Sequence, residues 1–389
     1  MKILQLGKFF PIEGGVEKVM LDLTTGISNR EIYCDMMSSA STPELEKPIE
    51  LGKFGRILPC ETLIKLNSTM LSPCMVARLR KICHEYDIIH VHHPDPMAAV
   101  ALYFSGYKGK VILHWHSDIL KQKVSLQFYK PLQKWLIKRA DLIVGTTPVY
   151  IEESPYLKKF QYKTTYLPIG IDPTIPNARE AEEIRAQYPG KKIVFSLGRL
   201  IEYKGFKYLI DAASLLSDDY VVLIGGKGPL EEELRLQITE KGLSDKVKLL
   251  GRISEEVKNA CFGACDVFCM SSIMKTEAFG IVQLEAMSCG KPVVATNIAG
   301  SGVSWVNEHG FSGLNAEPEN AAELAGAIAE ICNNQAAYET YCNNAKIRYD
   351  DFFTMDEMIN RCTFIYNNLL HAREVRSIIP AGAQTQTVG

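Results

Sequence analysis

The chain has 389 residues, 47% of them hydrophobic and 23% charged, with a net charge of −2. That length is too great for one core and calls for two domains of roughly 150–200 residues each. The near-neutral balance speaks against a nucleic-acid binder, which needs a strongly basic face. The charge is unevenly spread: residues 1–170 hold 22 Lys/Arg against 16 Asp/Glu, and the rest 21 against 29. The first half is therefore the one suited to an anionic partner, such as a phospholipid surface. The start, MKILQLGKFF, has no long apolar core of a signal peptide, and no stretch of about eighteen apolar residues could span a bilayer. Eleven cysteines without a CxxC pair, several of them inside apolar runs (Cys83, Cys265, Cys269, Cys289), fit buried thiols in a reducing cytosol.

In chain order, short apolar runs alternate with helical patterns. Those of the first half are Lys2–Leu6, Asp87–Val91, Lys110–Leu113, Leu142–Gly145 and Thr165–Leu167. The second half has Lys192–Leu197, Tyr220–Ile224, Val247–Leu250, Val267–Met270 and Pro292–Thr296. Unbroken apolar runs suit parallel strands buried on both faces. Helices between them, such as Val16–Gly26, Gly205–Leu216 and Leu230–Lys241, complete repeated βα units. The expected fold class is α/β, with two Rossmann-like doubly wound domains facing each other across a cleft. Pro168, Gly170, Pro173 and Pro176 break any regular element near the boundary. The expected division is 1–172, 173–368, and a tail at 369–389 that is disordered at its end.

Ligands of such sheets bind beyond the carboxyl ends of the strands, so chemistry is sought there. After the first strand, Gly14 and Gly15 open a helix in a turn where backbone can approach a phosphate or sugar. Arg199 and Lys204 stand between a strand end and a helix, a place suited to holding phosphates as a planar fork and a point charge. Gly226 lies in a second glycine-rich turn, Gly225-Gly226-Lys227-Gly228-Pro229. The segment Thr276–Ala286 places Glu277 and Glu285 eight positions apart around Gly280, with a helix predicted over Phe279–Ser288. Carboxylates next to an anion-binding helix start suit a sugar or ribose joined to a diphosphate, whose hydroxyls they can accept from; a solvated acidic surface is the plainer reading.

Six of the eight histidines fall between positions 84 and 116. His90, His92, His93, His114 and His116 end two strands and could gather around a metal. The favoured reading makes His116 a neutral ligand for a sugar hydroxyl and the others wall or core residues. The segment Lys121–Arg139 interleaves Lys121, Lys123, Lys130, Lys134, Lys138 and Arg139 with Phe128, Tyr129, Leu132, Trp135 and Leu136. It suits either a bilayer surface or a packed helix with a basic face.

Taken together, Gly14-Gly15-Val16-Glu17, His116-Ser117-Asp118, Gly198-Arg199 with Lys204-Gly205, Gly226-x-Gly228-Pro229, Glu277-x7-Glu285 and Gly290-Lys291-Pro292 occur in one order. That order resembles a retaining GT-B glycosyltransferase of the family 4 type, over Met1 to about Asn368. The resemblance implies a hexosyltransferase with a nucleotide-sugar donor. Arg199 and Lys204 would bind the donor diphosphate, Glu285 the ribose, and Glu277 and His116 the transferred sugar. Gly14 and Gly15 would border that sugar, and Gly226, Phe279, Gly280 and Ile281 would line the phosphate site. No Asp-x-Asp motif is present, so neither metal nor cofactor is expected. His116-Ser117-Asp118-Ile119 and Ser301-Gly302-Val303 further resemble surface-polysaccharide enzymes. The resemblance implies mannose from GDP-mannose, passed to a lipid-linked glycan at the cytoplasmic membrane face. A UDP-hexose donor and a non-catalytic nucleotide-sugar-binding protein are the alternatives.

Overall fold

The computed structural model describes residues 1–12, 14–40, 47–66, 69–119 and 123–371. The chain divides into two compact units. The first holds Met1–Ile169 together with Met355–His371, and the second Gly170–Thr354.

In the first unit the strands are β1 (Lys2–Phe10), β2 (Tyr33–Ala40), β3 (Ile49–Glu50), β4 (Arg56–Cys60), β5 (Ile64–Leu66) and β6 (Thr69–Leu71). They continue with β7 (Ile88–His93), β8 (Lys110–Trp115), β9 (Leu142–Gly145) and β10 (Thr164–Tyr166). Eight of them form one sheet in the order β10-β9-β8-β7-β1-β2-β4-β3, while β5 and β6 pair separately. Every pairing in the large sheet is parallel except β3 with β4. The chain reverses direction across the sheet between β1 and β7. β1 runs past the expected Leu6 because Gly7 (φ 136) and Lys8 (φ 58) form a bulge, after which pairing to β2 resumes at Phe9.

The second unit contains β11 (Lys192–Leu197), β12 (Tyr220–Gly225), β13 (Val247–Gly251), β14 (Val267–Cys269), β15 (Val293–Thr296) and β16 (Gly313–Ala316). Their order, β13-β12-β11-β14-β15-β16, is that of a dinucleotide-binding sheet, all parallel, with its switch point between β11 and β14. Val194, Val222, Val267 and Val294 on one face pack against Leu209, Ala213, Leu324 and Ile328 of the covering helices. Fully burying each such aliphatic side chain contributes roughly 1.5–3 kcal/mol.

All ten expected strands are present. β2 was not visible as an apolar run because it carries Asp35, Ser38 and Ser39, all buried. Asp35 is tolerated inside because Arg56 Nη2 (2.8 Å) and Tyr86 Oη (2.7 Å) donate to its carboxylate.

The expected boundaries need revision at the C-terminal end. The expected division puts residues 355–368 in the second domain, but the helix Met355–His371 belongs to the first unit. Its stripe Met358, Ile359, Cys362, Ile365, Tyr366 and Leu369 is buried. Ile359 fits over Gly26 of the helix Gly15–Ser28, where a Cβ would meet Ile359 Cδ1 at 2.5 Å. The helix also runs through 369–371, which were expected to begin the tail; residues 372–389 lie outside the described residues. Among the described residues no helix is long and apolar enough to cross a membrane.

Lys121 lies outside the described residues, as do the side chains of Lys123 and Phe128. The rest of that segment is one helix, Lys123–Arg139, despite Pro131. Lys130, Lys134 and Lys138 are exposed along one stripe, while Tyr129, Gln133 and Leu136 are buried.

Candidate functional site

At the switch point of the second sheet, the loops leaving β11 and β14 are stitched together. Ile273 N–H donates to Tyr203 O (2.8 Å) and Ser271 Oγ to Lys204 O (3.0 Å). Gly205, in the left-handed region at φ 65, lets the backbones touch; a Cβ there would lie 2.1 Å from Ser271 O. This contact aims Lys204 at Glu277. Lys204 Nζ meets Glu277 Oε2 at 2.5 Å, and Ser272 Oγ donates to the same oxygen at 3.1 Å. Both side chains are only about one-eighth exposed, at 13% and 12%, so this is not a freely solvated surface pair. Arg199, on the same β11 loop, is exposed.

The peptide after Glu277 is clamped from the other side. Gly302 N–H donates to Ala278 O (2.9 Å), and Ser301 Oγ donates to Glu277 O. Phe279 is buried against Phe353, edge to face with centroids 6.1 Å apart. The helix runs over Ile281–Ser288, two residues later than its predicted start, because Gly280 takes φ 76 at its N-cap. Ile281 is thus the first helical residue.

Glu285, on that helix, has a cation of its own. Lys258, from the helix Glu255–Ala264, bridges Glu285 Oε1 (2.5 Å) and Glu255 Oε2 (2.6 Å). Burial pushes the Glu285 carboxyl above its ordinary pKa, and the Lys258 ammonium pulls it back down.

Gly226 has a packing role of its own. At φ 134 it brings the β12 loop onto the β11 loop, where a Cβ would sit 1.9 Å from Gly198 O. Gly198 N–H to Gly225 O (3.0 Å), Leu200 N–H to Lys227 O (3.1 Å) and Gly226 N–H to Gly251 O (2.7 Å) lace the three strand ends together.

In the first unit, Gly14 is the N-cap and Gly15 the first residue of the helix Gly15–Ser28. The Glu17 carboxylate folds back over Gly14, and Oε2 would lie 2.8 Å from a Cβ there. His116 follows β8 and is buried. His90, His92, His93 and His114 are buried too, and burial pushes all five imidazoles below their ordinary pKa, to about 3 for His93 and His114. One nitrogen each of His90, His92 and His114 lies within 4.8 Å of the others. The three rings lie 17–32° from parallel, with centroids 4.9, 5.2 and 5.3 Å apart. His92 already uses both of its nitrogens, on His116 (2.8 Å) and Gln5 (2.8 Å).

The sequence pattern of the family described as Glycosyltransferase Family 4 matches residues 13–174, and that of Glycosyl transferases group 1 matches 177–348. O-antigen chain mannosyltransferase C of Escherichia coli is 31% identical over 376 residues, covering 96% of this chain and all of that protein. The chain belongs to glycosyltransferase family 4. D-rhamnosyltransferase WbpZ of Pseudomonas aeruginosa is 30% identical over 360 residues, covering 91% of this chain and 92% of its own. The fold is GT-B: the crystal structure of Anabaena HepE in complex with UDP superposes with a TM-score of 0.76 at 23% identity, covering 95% of this chain and all of that one.

Within this glycosyltransferase, the sequence pattern leaves Lys258 and Ser272 unmarked, and marks Ser301 by its run Ser301-Gly302-Val303 without pairing it to Glu277. Lys258 lies 27 residues from Glu285 on a charged helix, where nothing local distinguishes it from a solvated lysine. Gln5 carried a readable signal, a polar residue inside the apolar strand KILQL.

Proposed function

We propose that this glycosyltransferase moves mannose from GDP-mannose to a lipid-linked glycan, with retention of anomeric configuration and without a metal ion. The acceptor would be met at the cytoplasmic face of a membrane during surface-polysaccharide synthesis. The observation that carries the reading is the Lys204–Glu277 pair at the switch point between β11 and β14, beside the helix that opens at Gly280. A departing nucleoside diphosphate gathers negative charge, and a fixed cation at a water-poor site stabilises it most. In this reading Lys204 and Arg199 take the diphosphate, aided by backbone around Gly226, Phe279, Gly280 and Ile281. Glu277, released from Lys204, accepts from sugar hydroxyls. Glu285 accepts from the ribose, and Gly14, Gly15 and His116 border the sugar. The leaving phosphate takes the acceptor proton on the same face as departure.

The mannosyl donor is supported by the similarity to the E. coli mannosyltransferase. A UDP-sugar is the second reading, favoured by the UDP bound in the HepE structure. Thermal unfolding with a panel of nucleotide sugars separates them, since a ligand bound only by the folded state raises Tm. A shift with GDP-mannose is the expected result; a shift with UDP-hexoses alone would discard mannose, and no shift with any donor would remove the reading.

Nucleotide affinity should also depend on pH through Glu285. Its carboxylate form accepts from the ribose, so affinity is full above its raised pKa and is lost as pH falls through it. Lys258→Met removes the cation that opposes burial. The loss should therefore begin at higher pH, and titration of GDP binding from neutral to acidic pH by calorimetry checks the direction of that change.

A further inference from the structure

A buried chain of hydrogen bonds crosses the switch point of the first sheet, and none of the roles assigned above uses it. Gln5 on β1, His90 and His92 on β7, and His116 after β8 project from one face of the sheet: Gln5 is in register with His90, and His92 with His114. Tyr366 of the C-terminal helix covers them and is fully buried.

The proton positions follow from the Gln5 amide as placed. Gln5 Nε2 donates to Tyr366 Oη at 2.9 Å, and Cys34 Sγ lies 3.7 Å from the same nitrogen. Tyr366 Oη has one hydrogen of its own, which goes to His90 Nδ1 at 2.6 Å. On the other side Gln5 Oε1 can only accept, so His92 Nε2 carries the hydrogen of their 2.8 Å bond. A neutral His92 then has a bare Nδ1, and His116 Nε2 must donate across 2.8 Å. The two rings are 14° from parallel with centroids 5.1 Å apart, edge to edge, as an in-plane N–H to lone-pair bond requires. His114 stacks on the face of His116 at 3.9 Å and blocks rotation of its ring. All four hydrogens run one way, from His116 to His90, an arrangement in which each bond strengthens the next.

We propose that Gln5 and His92 are positioning residues that hold His116 with its hydrogen on Nε2 and Nδ1 bare, as the acceptor for a hydroxyl of the transferred sugar. This rests on the sugar-bordering role of His116 given above. Burial of every member favours the neutral form along the chain.

The test is histidine-ring ¹⁵N NMR on the full chain, with His116 identified by its loss in His116→Asn, alongside steady-state kinetics. In the wild type His116 should show a protonated Nε2 and a bare Nδ1. Gln5→Met, which lets His92 change tautomer, should give His116 mixed ring signals. It should also lower kcat about 10-fold, the scale of losing an orienting partner, with donor KM within about 2-fold. His92→Phe should do the same. His92→Asn, whose Oδ1 replaces the Nδ1 acceptor, should recover most of kcat, a rescue that a packing role would not give. His116 protonated on Nδ1 in the wild type would overturn the proposal. So would mixed tautomers in Gln5→Met or His92→Phe with kcat unchanged, in an otherwise active enzyme. A wild type inert toward every nucleotide sugar would instead bring down the transfer reading and the proposal's use for it.

Discussion

Lys204→Ala is expected to lower kcat for sugar transfer by about 10²–10³-fold, the cost of losing a fixed charge aimed at a developing anion. The ammonium is held beside Glu277 with both groups about seven-eighths buried. Its position is set by the Gly205–Ser271 backbone contact rather than by its own flexible stem. Removing it strands the Glu277 carboxylate, which still has Ser272 Oγ. The stability loss should therefore stay near the small end of the range for removing one partner of a buried pair, roughly 3 kcal/mol. A purely structural salt bridge would give the same fall in Tm with turnover barely changed. Glu277→Gln supplies the control: it should damage turnover while leaving Lys204 free to meet phosphate. Measuring kcat and Tm on the same preparations separates these outcomes.

The second large effect falls on folding. Gly226→Ala should destabilise the second unit by roughly 3 kcal/mol, because overpacking and a disfavoured φ each cost about 1–3 kcal/mol. The new Cβ would lie 1.9 Å from Gly198 O, and the backbone of both loops would have to part. That would break the Gly198–Gly225 and Leu200–Lys227 hydrogen bonds that set the start of the Arg199–Lys204 loop. Urea titration should show a lower midpoint with an unchanged slope. Wild-type stability combined with weakened donor binding would mean that Gly226 serves the ligand and not the fold.

Much of this architecture was legible because parallel strands buried on both faces advertise themselves as apolar runs. The exceptions are physical. β2 hides behind Asp35, whose burial is made possible by Arg56 and Tyr86 from distant positions. The helix Met355–His371 crosses back to the first unit, and its amphipathic stripe does not say which sheet it covers. The site divides the same way. Glu277, Gly280 and Lys204 could be found by their place between strand end and helix. Of the partners that give them direction, Lys258 comes from a separate helix, Ser301 from the loop after β15 and Ser272 from the same loop as Glu277, and no local pattern pairs them with their carboxylates. Gly226 shows the converse, since its spacing suggested phosphate while its geometry has a backbone contact to satisfy.

The central claim is most directly tested by proton NMR of acceptor-free GDP-mannose hydrolysis, run with wild type and Lys204→Ala in the presence of EDTA. Slow release of GDP with α-mannose as the first anomer, suppressed in Lys204→Ala, is the expected result. First release of β-mannose, dependence on a divalent ion, or equal rates from both proteins would contradict it.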